Sequence, residues 1–178
     1  MPRISRAQQA GFVYHVINRG NGRATIFHKA QDYQAFLSIL ALAKARHPVK
    51  MFAFSLMPNH FHFLIEASHH QSLSRFMQWL LTSHVRRYHK HYRSSGHVWQ
   101  GRFKSFPMQR DEHLLMVLRY VLQIPVRSCL AASIDDWPGQ VAVVTSWPIP
   151  VLWKSRQTGW RMWTNHYQPA KWFPFVSQ

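Results

Sequence analysis

Met57-Pro58-Asn59-His60-Phe61-His62-Phe63-Leu64-Ile65-Glu66 is the stretch on which the reading of this chain turns. At the two-residue period of a strand, His60, His62, Leu64 and Glu66 point to one face, and Phe61, Phe63 and Ile65 point to the other. The phenylalanine face is apolar enough to sit on helices. The opposite face offers two imidazoles roughly 7 Å apart along the strand. Two histidines at that spacing can hold one divalent metal, leaving positions open for a third ligand and a substrate oxygen. The same spacing also fits a plain strand with two partly exposed histidines.

Working outward, residues 49–57 read as the preceding strand, with Phe52, Phe54 and Leu56 on one face. Pro58-Asn59 is a natural tight connection, so the two strands form a hairpin. Residues 11–19 are rich in β-branched and aromatic side chains and read as a first strand. It runs into a flexible basic turn, Arg19-Gly20-Asn21-Gly22-Arg23, suited either to solvent or to phosphate. Between these strands, residues 31–46 read as a helix with a stripe of Tyr33, Phe36, Leu37 and Leu40, stopped by Pro48.

Beyond the histidine strand, residues 72–92 read as the longest helix, with Leu73, Phe76, Met77, Leu80, Leu81, Val85 and Tyr88 at helical spacing. Arg86, Arg87, Lys90 and Arg93 load its C-terminal end, which complements the helix dipole and also enlarges a basic surface. His84, His89 and His91 read as solvated or aromatic-packed rather than as metal ligands. Residues 97–109 read as a strand on which Arg102 and Lys104 share a face, suited to lining a DNA groove. Asp111 is a good N-cap for a last helix, with Glu112 in its first turn. That helix runs through Leu114, Leu118, Val121 and Leu122 to a break at Pro125, with Tyr120 off the apolar stripe. The first six elements follow the ferredoxin-like βαββαβ order. This is an α+β fold: an antiparallel sheet with helices on one face, the histidines on the open face, and an added C-terminal helix carrying the tyrosine.

Composition narrows the function. The 178 residues suffice for one domain with a core. Lys and Arg number 22 against 6 Asp and Glu, a net charge of +16. A chain so basic, with arginines interleaved among aromatics, suits phosphates and stacked, unpaired bases. A basic RNA-binding module or a membrane-surface protein would share that charge. The few acids argue against nucleases that gather three or four carboxylates around metals. The single cysteine, Cys129, permits no internal disulfide and suits the cytoplasm. The start of the chain lacks the apolar run of a signal peptide, and no run of about 18 apolar residues could span a membrane. Residues 139–178 contain no acid and five tryptophans, without clear periodicity.

Several short runs stand in one order: Tyr14-His15-Val16, Arg19-Gly20-Asn21, Leu56-Met57-Pro58-Asn59-His60-Phe61-His62, Gln100-Gly101-Arg102-Phe103-Lys104, and Arg119-Tyr120 with Pro125-Val126-Arg127. Each is weak alone. Together, over residues 1–138, they resemble the REP-associated tyrosine transposases, relatives of the single-tyrosine HUH transposases. The resemblance implies a single-strand DNA endonuclease and strand-transfer enzyme acting at hairpins of repetitive extragenic palindromes. It implies His60 and His62 as ligands of Mg2+ or Mn2+, and Tyr120 as the nucleophile that forms a 5′-phosphotyrosine. Arg19, Asn21, Arg23, Arg86, Arg87, Arg102, Lys104 and Arg127 are the candidate DNA contacts. A monomer is expected, and no membrane partner. The alternatives are a hairpin-DNA binder that no longer cuts, and a basic RNA-binding module.

Two departures from the family pattern stand out. The family carries Asn four residues after the tyrosine, where one helical turn places it beside the phenol. This chain has Ile124 there, so the metal site would keep two histidines and water, or recruit Glu66 or Gln123. Weakened metal binding and reduced activity are expected. Second, the tail from 139 to 178 reads either as out of frame relative to the family, with no selected fold, or as a DNA-binding or regulatory extension.

Overall fold

In the computed structural model, described for residues 9–69, 72–108 and 112–137 and for the backbone of 140–142, 153–155 and 159–161, the elements follow the expected order. They are β1 (Val13–Arg19), α1 (Ala30–Arg46), β2 (Lys50–Met57), β3 (His60–Glu66), α2 (Ser72–Tyr92), β4 (Lys104–Met108), α3 (Glu112–Arg127) and β5 (Gln140–Ala142). The sheet order is β4-β1-β3-β2-β5, with every neighbouring pair antiparallel. The first four strands have the ferredoxin-like arrangement, and β5 adds an edge on β2. Trp153–Ser155 pairs with Gly159–Arg161 as a separate two-stranded unit. The expectations for Asp111 as an N-cap and for most of the 139–178 tail lie outside the described residues.

The main core forms where β3 turns its phenylalanines toward α1 and α2. Phe61 and Phe63 are fully buried and stacked 4.2 Å apart, with Phe36 of α1 and Trp99 packed against them. Each phenylalanine so buried contributes roughly 1.5–3 kcal/mol. His84 of α2 is aromatic-packed, as read from sequence: its ring lies 5.0 Å from Phe36 and 5.4 Å from Trp99, and burial pushes its pKa down to about 4.

Helices do not stay on one face. A second core joins Leu114, Leu118 and Val121 of α3 to Val13, Leu64, Ala53, Phe52 and Met108. Helix α3 therefore covers part of the histidine face. Phe52 was expected to share a face with Phe54 and Leu56. A register shift between Met51 and Ala53 turns it to the α3 side instead. Strand β4 is only five residues long. Residues 97–103 form an irregular segment because Val98, Trp99 and Phe103 all turn into the core and Gly101 takes φ +68°. Arg102 consequently shares no strand face with Lys104.

The last helix does not break at Pro125 but continues to Arg127. It closes with Leu130 N–H donating to the Pro125 carbonyl (2.9 Å) and Cys129 N–H to Val126 (3.0 Å). This closure needs a left-handed residue, normally glycine, and Cys129 occupies it at φ +55°. Cys129→Gly should relieve about 1 kcal/mol and raise the melting temperature by about 2–4 °C in a thermal melt.

Asp32 ties the two core helices together. Its carboxylate accepts from the His28 and Lys29 amides (2.8 and 3.1 Å) at the start of α1 and from the Tyr92 hydroxyl (2.6 Å) at the end of α2. Burial alone would raise this carboxyl. The bonds from Tyr92 and the two amides, with the Lys29 charge, outweigh it and hold the pKa below its ordinary 3.8. A depressed carboxyl stabilises the fold fully above the unfolded pKa and loses that contribution as pH falls through the folded one. Asp32→Asn should therefore cost about 1–3 kcal/mol at neutral pH in urea melts, with the difference from wild type shrinking below about pH 4.

Candidate active site

The face of β3 opposite the phenylalanines carries His60 and His62. Antiparallel pairing places Arg19, Ile17 and His15 of β1 directly across from His60, His62 and Leu64. Strand β4 adds Lys104 and Phe106 opposite Ile17 and His15. His62 is the hub. Its ring centroid lies 5.1 Å from His60, 5.2 Å from His15 and 6.2 Å from Tyr120. The phenol reaches it because the apolar stripe of α3 packs chiefly on Phe52 and Ala53 of β2, in one cluster with Leu64, leaving Tyr120 on the helix side next to the histidines, 43% exposed.

Each imidazole is fixed through one nitrogen. His60 Nδ1 lies 2.6 Å from Asn59 Oδ1, and His62 Nδ1 lies 3.0 Å from His15 Nε2. Burial, then the Arg19 charge, pushes His60 down to about 4. Burial, then the neighbouring His15, His60 and Arg19, pushes His62 to about 3. Burial lowers His15 as well. At neutral pH these rings are uncharged, the state in which an imidazole nitrogen can bind a cation.

Two neutral imidazoles are a usable but incomplete donor set for a divalent ion. Among the described residues, no group of three or more His, Cys, Asp or Glu side chains is arranged to hold a metal. Glu66 shares the histidine face but sits at the far end of β3, with its carboxylate 3.6 Å from Lys50 Nζ. Ile124 is buried one turn after Tyr120 and offers no donor atom, and Gln123 is exposed. The remaining coordination positions would fall to water and phosphate oxygens.

The candidate DNA contacts separate into groups. Arg19 and Lys104 lie on the histidine face, and the Arg127 guanidinium stands 5.8 Å from the Tyr120 ring. Asn21, Arg23 and Arg102 lie on segments gathered at the same end of the sheet. Main-chain bonds draw those segments together: Gly20 N–H to Asn59 O (2.7 Å), Asn21 N–H to Val98 O (2.9 Å) and Gln100 N–H to Arg19 O (2.8 Å). Arg86 and Arg87 ride on α2, which packs on the opposite side of the sheet, and are not brought to the histidines.

Sequence reading missed His15 and Asn59 as members of the site. His15 alternates with the apolar Tyr14 and Val16, which marks it as facing away from the core, but only the β1–β3 register shows which side chain it meets.

A model of the family described as "Transposase IS200 like" matches residues 8–123. Among solved structures, the chain is similar to a REP-associated tyrosine transposase bound to a REP hairpin: TM-score 0.59, 19% identity, covering 79% of this chain and 82% of that one. It is also similar to a protein from Deinococcus radiodurans R1, with TM-score 0.49, 17% identity and coverage of 67% and 95%. No curated protein matches the sequence. No helix among the described residues is long and apolar enough to cross a membrane. With the family match spanning well over half its length and the first of these solved structures sharing its fold, the chain belongs to the IS200-like transposase family.

Proposed function

We propose that this protein is a cytoplasmic, tyrosine-dependent single-strand DNA endonuclease and strand-transfer enzyme that binds REP-type hairpins. The observation that carries this reading is the 6.2 Å approach of the Tyr120 ring to His62, made by two residues far apart in the sequence, on α3 and β3. Because the phenol and imidazoles meet within one chain, a monomer carries the whole set. The net charge of +16 and the likeness of the fold to a transposase solved with a hairpin support a DNA ligand.

In this reading, Arg19, Lys104 and Arg127 flank the scissile phosphate and hold the strand's backbone across the histidine face. Asn21, Arg23 and Arg102 contact the strand where it leaves the site. Arg86 and Arg87 meet more distant phosphates of the hairpin. His60 and His62 would hold a divalent ion, Mg2+ or Mn2+, which when bound polarises the phosphate. Tyr120 Oη attacks phosphorus in line with the departing 3′-oxygen. The new O–P bond forms as the P–O3′ bond breaks. The phenolic proton passes to solvent, and the leaving oxygen takes up a proton to become a 3′-hydroxyl. The resulting 5′-phosphotyrosine keeps the energy of the cut phosphodiester, so an incoming 3′-hydroxyl can take over the strand without ATP.

Ile124 favours a second reading, a hairpin binder that cuts slowly or not at all. The test is a labelled hairpin oligonucleotide incubated with Mn2+ and resolved under denaturing conditions. A protein–DNA adduct should form, disappear in Tyr120→Phe and vanish on chelation. Retained hairpin binding without any adduct would leave only the binder, and stronger competition by RNA than by single-strand DNA would point to an RNA module. In the same assay Ile124→Asn should raise adduct formation several-fold. It should cost about 1–2 kcal/mol of stability, because a polar group replaces a buried apolar one. No gain would mean that Ile124 is not the weak point.

A further inference from the structure

We propose that Asn59 and His15 are positioning residues that hold His60 and His62 in one tautomer, with the proton on Nδ1 and the lone pair on Nε2. The Asn59 half follows from its amide orientation. Asn59 Nδ2 donates to the Arg23 carbonyl at 3.0 Å, which turns Oδ1 toward His60 Nδ1 at 2.6 Å. An amide oxygen only accepts, so His60 Nδ1 must carry the proton, leaving Nε2 with its lone pair.

The His62 half is a choice between two states. Its Nδ1 and His15 Nε2 stand 3.0 Å apart, so exactly one of these nitrogens carries a proton between them. If His15 donated, His62 would have its own proton on Nε2 and could serve only as a hydrogen-bond donor to phosphate. If His62 donates, its Nε2 matches that of His60, and the couple becomes two like ligands. We assign the donating role to His62 because only that state gives both rings an Nε2 lone pair; the place of His15 on β1, beside Leu64 of β3 and Phe106 of β4 with its ring stacked on His62, keeps its Nε2 within reach to accept. A partner on the nitrogen away from the metal is a common way to orient a ligating imidazole. The two partners come from different elements, the β2–β3 turn and β1, so each imidazole is steered independently.

The inference rests on the proposed reading for the choice of His62 tautomer and for what the rings hold; the tautomers themselves can be measured with neither metal nor DNA. Long-range proton–nitrogen correlation spectra of the full chain at neutral pH should show His60 and His62 both protonated on Nδ1. His15→Ala should release His62 into a tautomer mixture and leave His60 unchanged. His15→Gln, whose amide oxygen still accepts, should restore the wild-type His62 signal. Asn59→Ala should release His60 alone. Mn2+ affinity, measured by calorimetry, should fall about 10- to 100-fold in His15→Ala and recover in His15→Gln. A wild-type His62 protonated on Nε2, or a His62 tautomer unmoved by His15→Ala in a folded variant, would overturn the proposal. Correct tautomers with no DNA adduct would instead count against the nuclease reading and leave the positioning roles standing.

Discussion

The structure depends on the alternation of β3. Phe61 and Phe63 are driven into the core between α1 and α2, and the strand's two-residue period then leaves His60 and His62 no direction but the opposite face. The hydrophobic effect thus aims the site: a one-residue slip would place imidazoles among phenylalanines and phenylalanines against solvent, a loss of several kcal/mol. The cost of burying the imidazoles partway is seen in their lowered pKa values, which keep them uncharged among surrounding cations.

Helix α3 completes the arrangement from the other side. Its apolar stripe settles on Phe52 and Ala53 of β2, in one cluster with Leu64, at the end of the face away from the histidines, so the helix covers part of that face and delivers Tyr120 to the border. The register shift between Met51 and Ala53 contributes here, because it supplies Phe52 to this smaller core. The fold therefore has two cores with separate duties. The larger sets the direction of the imidazoles, and the smaller sets the reach of the phenol.

Much of this was legible in the chain because the signals are local. The alternation of β3, the stripe of α2, the helix stop at Pro48 and the tight connection at Pro58-Asn59 mark elements without reference to anything distant. What stayed hidden depends on partners. The shift that turns Phe52 needs the β2–β3 pairing to be visible. The irregular path of 97–103 follows from Trp99 and Phe103 being claimed by the main core, which overrides their strand-like alternation. The extra turn past Pro125 survives because the following residues close it with their own main-chain bonds. In the site, the histidine pair and Tyr120 could be named from motif order, whereas His15 required the β1–β3 register. Arg86 and Arg87 look equal to Arg19 in a list of basic residues, and only the layering of α2 behind the sheet separates them.

The segments around the end of the sheet are joined to each other largely through peptide groups, Gly20 to Asn59, Asn21 to Val98 and Gln100 to Arg19, with the Asn59 amide adding one side-chain tie to the Arg23 carbonyl. Peptide groups are the same whatever residue bears them. The exposed side chains of these segments, Arg23 and Arg102 among them, can therefore be exchanged during evolution with little penalty to the scaffold, so the surface around the histidine face can change while the face itself is inherited intact.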